Sequence, residues 1–270
     1  MKNTPNLQSS ALPRLDLIST DPGPARPPKF VPRMSLFGIL QRLLSQYNSM
    51  RRALLPCRPI DSQWKELREI RELASHANDI NEHLETMFVE SMLFQPKLIV
   101  ELGVRGGVST FVFERAAKLC DATLISVDIE DCSAISSYPN WHFFRGDDVE
   151  FAGQFQDFCN EPGIVPSIDL LFVDTSHYYE HTVQEIQAWF PLLSSRARVL
   201  FHDTNSRLIG RRKDGCFALA WDNDRGVIRA IEEYVGIQID ERREGTHYSR
   251  GWLVRHTPFC NGLTILDRPA

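Results

Sequence analysis

From Ser35 to Leu54 the apolar residues Leu36, Leu40, Leu43, Tyr47, Met50 and Leu54 recur at alternating steps of four and three, which places one apolar seam along a helix. Pro56 and Pro59 end that helix, and Asp61 is placed to cap the next. The second helix carries Trp64, Leu67, Ile70, Leu73, Ala77, Ile80, Leu84, Met87 and Phe88 on one face, with Glu66, Arg68, Glu69, Arg71 and Glu72 opposite. From Lys97 the period changes. The pattern predicts strands at 97–103, 122–128, 141–145, 168–174, 197–202, near 237–241 and at 262–267, and helices at 108–119, 149–159, 179–193 and 225–235. Strands that alternate with helices imply right-handed crossovers. The expected fold class is therefore α/β: a doubly wound, mainly parallel seven-stranded sheet with helices on both faces, preceded by N-terminal helices.

Of the 270 residues, 43% are apolar and 24% charged, a balance that supports a packed core and excludes disorder over the whole length. No run reaches the roughly 18 apolar residues of a membrane span, and Met1 to Pro5 leads into no apolar signal-peptide segment. The expectation is a cytoplasmic protein without stable membrane insertion. Seven of the sixteen prolines fall within residues 1–33, a composition that buries too little surface to offset its ordering entropy. Residues 1–60 carry nine Lys/Arg against two acids, a charge of +7; with −5 for the whole chain, residues 61–270 hold −12. An acidic body argues against nucleic acid as a partner, because such binding needs a basic face. The chain thus divides into a disordered Pro-rich tail at 1–33, a basic amphipathic helix at 34–60 and a main domain at 61–270. Three covers are open to the helix seam: its own domain, a second copy in a homo-oligomer joined through residues 35–56, or a membrane surface met by Arg42, Arg51 and Arg52. Cys57, Cys120, Cys132, Cys159, Cys216 and Cys260 lie far apart with no CxxC pair, and read as reduced, mostly buried thiols.

In an open parallel sheet, ligands bind beyond the carboxyl ends of the strands, where the strand order reverses. The first such end is Leu98-Ile99-Val100-Glu101-Leu102-Gly103-Val104-Arg105-Gly106-Gly107-Val108-Ser109-Thr110: an apolar strand, a glycine-bearing turn and a helix start. The glycines let the backbone turn tightly against a ligand, and Ser109 or Thr110 is placed to cap the helix. A nucleotide-type ligand is expected. Gly103, Gly106 and Gly107 do not form the G-x-G-x-x-G fingerprint of dinucleotide enzymes, and no G-x-x-x-x-G-K-[ST] loop is present. Glu101, two residues before the first glycine, suits a cationic ligand group better than a pyrophosphate. Asp128 ends the second strand 25 positions after Gly103, placed to accept ribose hydroxyls. After the third strand, Gly146-Asp147-Asp148 offers a carboxylate to an adenine amino group, and one of the two acids is a candidate cap for helix 149–159.

Taken in order, Glu101-x-Gly103-x-x-x-Gly107, Asp128, Gly146-Asp147, Val173-Asp174-Thr175-Ser176-His177-x-Tyr179 and Leu200-Phe201-His202-Asp203 resemble the class I S-adenosylmethionine-dependent methyltransferases. The likeness is strongest to the bacterial group of macrocin, rhamnosyl and cephalosporin-pathway enzymes. It covers about residues 64–267, and Asn261-Gly262-Leu263-Thr264-Ile265-Leu266 is similar to that group's last strand. The resemblance implies a Rossmann-like methyltransferase domain over 61–270 and S-adenosylmethionine as cofactor. Glu101 and the Gly103 to Gly107 turn, with Ser109 at the helix start, would hold the methionine moiety, Asp128 the ribose and Asp147 the adenine. Val104 and Arg105 stand where many of these enzymes place a second glycine.

Asp174, His177, His202 and Asp203 are then expected at the mouth of adjacent strands. Methyl transfer from a sulfonium is an in-line displacement, so the protein must align the acceptor and take the proton of a hydroxyl. His177 with Asp174 is the candidate catalytic pair, histidine being suited to proton transfer near neutral pH. The resemblance also implies that Asp174 and Asp203 hold a divalent cation, with Thr204 or Asn205 adding a neutral oxygen; two carboxylates with open positions suit Mg²⁺. His177 and His181, at i and i+4, form a weaker zinc pair whose third ligand the sequence does not fix. The 204–221 segment, with Arg207, Arg211, Arg212 and Lys213, reads as a lid or acceptor wall, or as a solvated loop. The expected function is S-adenosylmethionine-dependent methyl transfer to an oxygen of a small glycosyl or natural-product acceptor. The alternative is a non-catalytic Rossmann-like module that works through partner or membrane association of its N-terminal helix.

Overall fold

A computed structural model describes residues 43, 44, 46–48, 50, 65–76 and 78–269. The expectations for the 1–33 tail and for Leu36, Leu40, Leu54, Pro56, Cys57, Pro59, Asp61, Trp64 and Ala77 lie outside those residues. The described residues between 43 and 50 are helical, and Asn48 holds the backbone of Phe217 twice: its Nδ2 donates to the carbonyl at 2.6 Å and its Oδ1 accepts from the amide at 3.1 Å. Leu43, Tyr47 and Met50 of the seam are exposed.

The single helix expected across 64–88 is two, α1 (Lys65–Ser75) and α2 (Leu84–Phe94). Asparagine side chains divide it. Asn78 Oδ1 accepts from the Ile80 amide at 3.0 Å, and Asn81 Nδ2 donates to the Ala74 carbonyl at 2.6 Å. Each replaces a bond that a continuing helix would make with its own backbone. The apolar spacing runs through the break unchanged, because Ile80 and Leu84 are buried from the connection as well as from the helix.

The sheet begins with β1 (Leu98–Leu102), buried at every position as a central parallel strand must be. Then follow α3 (Val108–Cys120), β2 (Thr123–Asp128), β3 (Trp141–Arg145), α4 (Asp148–Ala152), α5 (Phe155–Asn160), β4 (Ile168–Val173), α6 (Tyr179–Trp189) and β5 (Leu193–His202). Beyond them lie a small hairpin of β6 (Ile209–Arg211) and β7 (Phe217–Leu219), then α7 (Gly226–Val235), β8 (Gly245–Ser249), β9 (Trp252–Thr257) and β10 (Leu263–Arg268). The strand order is β3-β2-β1-β4-β5-β10-β9-β8, parallel as far as β5 and antiparallel after it. The order in which strands are added reverses between β1 and β4, which makes the crevice beyond those two ends the expected position for a ligand.

Alternate residues of each strand feed two cores, as the pleat requires. Val100, Leu102 and Leu171 pack with Phe151, Phe155, Trp189 and Ile231 on one face. Ile99, Leu124 and Phe172 pack with Ile70, Met87, Phe88 and Phe113 on the other. The doubly wound α/β class is thus observed, with eight strands in the main sheet rather than seven. No strand forms at 237–241; the Ile239 amide donates to Glu232 Oε1 at 2.7 Å and its side chain is buried against α7. The β8–β9 hairpin occupies the sheet edge instead. Its β8 sequence, Gly-Thr-His-Tyr-Ser, is largely exposed and has no alternating apolar pattern to betray it. Helix 149–159 is likewise divided into α4 and α5 around Gly153 and Gln154. The five described cysteines are buried free thiols, and no helix among the described residues is long and apolar enough to cross a membrane.

Candidate active site

Glu101 at the end of β1 is fully buried. It lies opposite Ser126 of β2 in the parallel register, and its Oε2 accepts the hydroxyls of Ser126 at 2.6 Å and Thr110 at 2.9 Å. Ser126 in turn accepts from the Trp141 indole at 2.9 Å. Ser109 stands close enough to favour the charged form without closing a bond to Oε1, which is buried without a partner. Burial dominates and pushes Glu101 up to about 7. Ser109 and Thr110 therefore face the carboxyl instead of capping α3. The cap position is Gly107, at φ 75° with no side-chain cap.

The turn is fixed from two sides. Gly103 has φ 89°, and a Cβ there would lie 2.0 Å from the Asp174 carbonyl oxygen, so only glycine lets the turn rest against the end of β4. Asp128 Oδ2 accepts from the amides of Val104 at 2.8 Å and Arg105 at 2.9 Å, while its Oδ1 accepts from Glu130 at 2.8 Å. Asp128 is thus the residue that shapes the turn, as well as the acid at its rim. Arg105 takes φ 45° there and pairs with Asp79 at 2.8 Å. A Cβ on Gly106 would meet nothing within 4 Å, so the turn presents open space at that residue. Asp147 is the helix cap of the expected pair, its Oδ1 accepting from Glu150 at 2.9 Å, and Asp148 is buried elsewhere.

The ends of β4 and β5 bring Asp174, His177, His202 and Asp203 together. His177 Nε2 stands 3.0 Å from both Asp174 Oδ1 and Asp203 Oδ2. His202 Nδ1 lies 3.2 Å from Asp174 Oδ1, and its Nε2 donates to the Cys260 carbonyl at 3.3 Å. Burial alone would raise Asp174, yet the His202 and His177 rings beside it hold it well below the usual carboxylate range. Burial opposes charge on both rings too, but the two carboxylates prevail: His177 is raised, and His202 is pushed up to about 10. Burial raises Asp203 against the pull of both rings. His83, 5.7 Å from His202 ring to ring, shows the opposite case. Burial without a carboxylate drives it down to about 3, so it stays neutral and donates only to the Phe259 and Cys260 carbonyls.

Asp174, His177 and Asp203 each offer a ligand atom within 4.8 Å of the others. Asp203 Oδ1 is buried without a hydrogen-bond partner, which is how a carboxylate awaiting a cation would stand. The Asp174 and Asp203 carboxylates are hard oxygen donors that fit Mg²⁺, with His177 as their hydrogen-bond partner rather than a ligand. Thr204 and Asn205 follow directly, but Asn205 is committed to the loop, its Nδ2 donating to Pro258 at 2.7 Å and its Oδ1 accepting from Arg207 at 3.1 Å. A cavity of about 470 Å³ opens beyond Thr204, bordered by Asn205, Asn223 and Arg225.

His177 and His181 do not share a site: His181 Nε2 turns away to Asp148 at 3.0 Å and Glu185 at 3.6 Å. Nor do the cations of the 204–221 segment form one exposed patch. Arg212 is buried, donating to the Asn78 carbonyl at 3.0 Å, and Arg207 pairs with Glu241. The sequence reading missed Trp221, whose ring lies 5.6 Å from that of His177, and Glu185. Only the i, i+4 spacing of His181 and Glu185 on one helix gave a sign of the latter.

Residues 100–204, which run from β1 through Thr204, match a family described as a methyltransferase domain. The strand-end residues singled out in the sequence, from Glu101 to Asp203, fall within that match. It is 28% identical over 130 residues to the uncharacterized protein y4gI of Sinorhizobium fredii, a match covering 42% of this chain and 14% of that protein. A methyltransferase from Geobacter sulfurreducens superposes with a TM-score of 0.48 at 15% identity, over 84% of this chain and 96% of that one. The O-methyltransferase TomG of Streptomyces achromogenes, solved with S-adenosylmethionine, does so with a TM-score of 0.48 at 14% identity, over 85% and 99% of the two chains.

Proposed function

We propose that this chain transfers a methyl group from S-adenosylmethionine to an oxygen of a small acceptor, of the glycosyl or natural-product kind that the sequence resemblance implies. One observation carries the reading: the Gly103 turn lies directly against the Asp174 carbonyl, so the cofactor-type turn and the acid–histidine cluster share one rim at the β1/β4 switch point. On the cofactor side, Glu101, Gly103, Gly107 and Ser109 would surround the methionine moiety, Asp128 would accept the ribose hydroxyls, and Asp147 would meet the adenine. Glu101 lies buried beneath the turn with its Oε1 left without a hydrogen-bond partner, and so open to a donor group of the ligand.

On the acceptor side, His177 is the candidate base and Asp174 its positioning partner. The two carboxylates raise the affinity of the His177 ring for a proton, which suits a base. Asp174 and Asp203 are the residues that would hold Mg²⁺, which when bound would lower the pKa of an acceptor hydroxyl. Trp221, tilted against the His177 ring and half exposed, supplies an apolar wall for the acceptor.

Calorimetry of the full chain with S-adenosylhomocysteine is the direct test. Binding at one equivalent is expected, and no binding ends the proposal. The metal is separate: turnover should vanish in EDTA and return with Mg²⁺, and turnover untouched by EDTA removes it.

A further inference from the structure

Asp148, His181 and Glu185 form a second cluster, apart from the site above. Asp148 opens α4, while His181 and Glu185 lie one turn apart on α6 and so face the same way. His181 Nε2 approaches Asp148 Oδ1 to 3.0 Å and Glu185 Oε1 to 3.6 Å. Thr175, just after β4, donates its hydroxyl to Glu185 Oε1 at 2.5 Å. Two oxygens are left over: Asp148 Oδ2 and Glu185 Oε2 are buried without hydrogen-bond partners, and the two carboxyl groups face each other in contact. The Glu185 side chain is 1% exposed and that of Asp148 9%, whereas His181 at 22% gives the cluster an edge toward solvent. One ligand atom from each residue lies within 4.8 Å of the other two.

We propose that Asp148, His181 and Glu185 bind one divalent ion of the zinc class, at a site distinct from the Asp174–Asp203 cluster. One imidazole and two carboxylates with Thr175 behind them suit a borderline transition ion; Mg²⁺ prefers oxygen alone. Such an ion gives both orphaned oxygens a partner. Burial raises Glu185 and the hydrogen bond to Asp148 raises His181, so an ion entering here displaces protons from its ligands.

The test uses the full chain with Asp174→Asn and Asp203→Asn, which disables the first cluster, titrated with Zn²⁺ by calorimetry at pH 7 in two buffers of different ionisation enthalpy. One ion per chain is expected, with release of protons. Adding His181→Gln or Glu185→Gln should weaken zinc binding at least tenfold. No stoichiometric zinc, or zinc binding indifferent to both substitutions, overturns the proposal. If those added substitutions unfold the chain, zinc-edge X-ray absorption on the parent double variant decides: one imidazole among oxygen ligands supports the site, and two imidazoles or any sulfur ligand refutes it. If the parent itself fails to fold, Asp203→Asn alone serves for both measurements. None of these readouts depends on methyl transfer.

Discussion

His177 and Asp203 meet at 3.0 Å from ends of different segments, and both do so from left-handed backbone, φ 62° and 54°. Such a conformation costs a non-glycine residue about 1–2 kcal/mol and persists only where its surroundings impose it. Here they do. A Cβ on Gly226 would lie 2.5 Å from the His177 carbonyl oxygen, and Asn223 donates to the Asp203 carbonyl at 2.7 Å. Two strained residues held by separate supports define one point, where the His177 ring sits between Asp203 and Asp174.

Removal of one carboxylate should therefore be felt by the ring. In Asp203→Asn the His177 pKa should fall toward its ordinary 6.5, because burial then meets one opposing charge in place of two. Methyl transfer should drop at least about hundredfold, the size expected when proton transfer and acceptor alignment are both disturbed. NMR titration of the imidazole and initial rates read the two effects; an unmoved ring would refute the charge argument.

The glycines of the turn separate packing from ligand space. Gly103→Ala drives a Cβ into the Asp174 carbonyl at positive φ and should destabilise the fold by roughly 2 kcal/mol or more in urea unfolding. Gly106→Ala meets nothing within 4 Å, so its stability should stay within about 0.5 kcal/mol of the parent. Its S-adenosylhomocysteine affinity should nevertheless fall several-fold, since the added methyl group fills the space left for the ligand. Equal affinity would move the ligand away from this turn.

Much of this site was legible in the sequence because parallel strands end where their ligands bind: Glu101, Asp128, Asp174 and Asp203 all close or follow an apolar run. The capping roles were not. Ser109 and Thr110 have the chemistry of a cap, but the buried Glu101 carboxyl outcompetes the helix end for them, and Gly107 takes the turn instead. The edge hairpin escaped because β8 buries too little to leave a pattern. The division of the 64–88 helix escaped because Asn78 and Asn81 act through backbone bonds that hydrophobic spacing does not record.

Stability should fall as pH rises above about 5. Glu101 ordinarily loses its proton near 4.5 but keeps it in the fold to about 7, so the folded chain binds more protons across that window and is destabilised as they leave. His202, raised from 6.5 to about 10, contributes stability that is complete below 6.5 and lost as pH climbs through 10. Both effects have one sign. The urea midpoint should be higher at pH 5 than at pH 9, and Glu101→Gln should lessen the fall between 5 and 7 while leaving the later fall in place. A midpoint that rises with pH would contradict both assignments.

Asp128 is the acid for which a structural and a ligand role overlap most, because the Val104 and Arg105 amides already occupy its Oδ2. The two roles come apart in a pair of variants. Asp128→Ala strands both amides and that of Glu130, and should cost about 1–2 kcal/mol of stability. Asp128→Asn keeps an oxygen for the turn, and its stability should stay within about 1 kcal/mol of the parent. Were shaping the turn the whole task of Asp128, the asparagine variant would bind S-adenosylhomocysteine as the parent does. A ribose diol asks for more, since its two hydroxyls donate and a carboxylate alone can accept both while still holding the turn. Calorimetry should accordingly find Asp128→Asn weakened at least about tenfold, close to the alanine variant in affinity but close to the parent in stability.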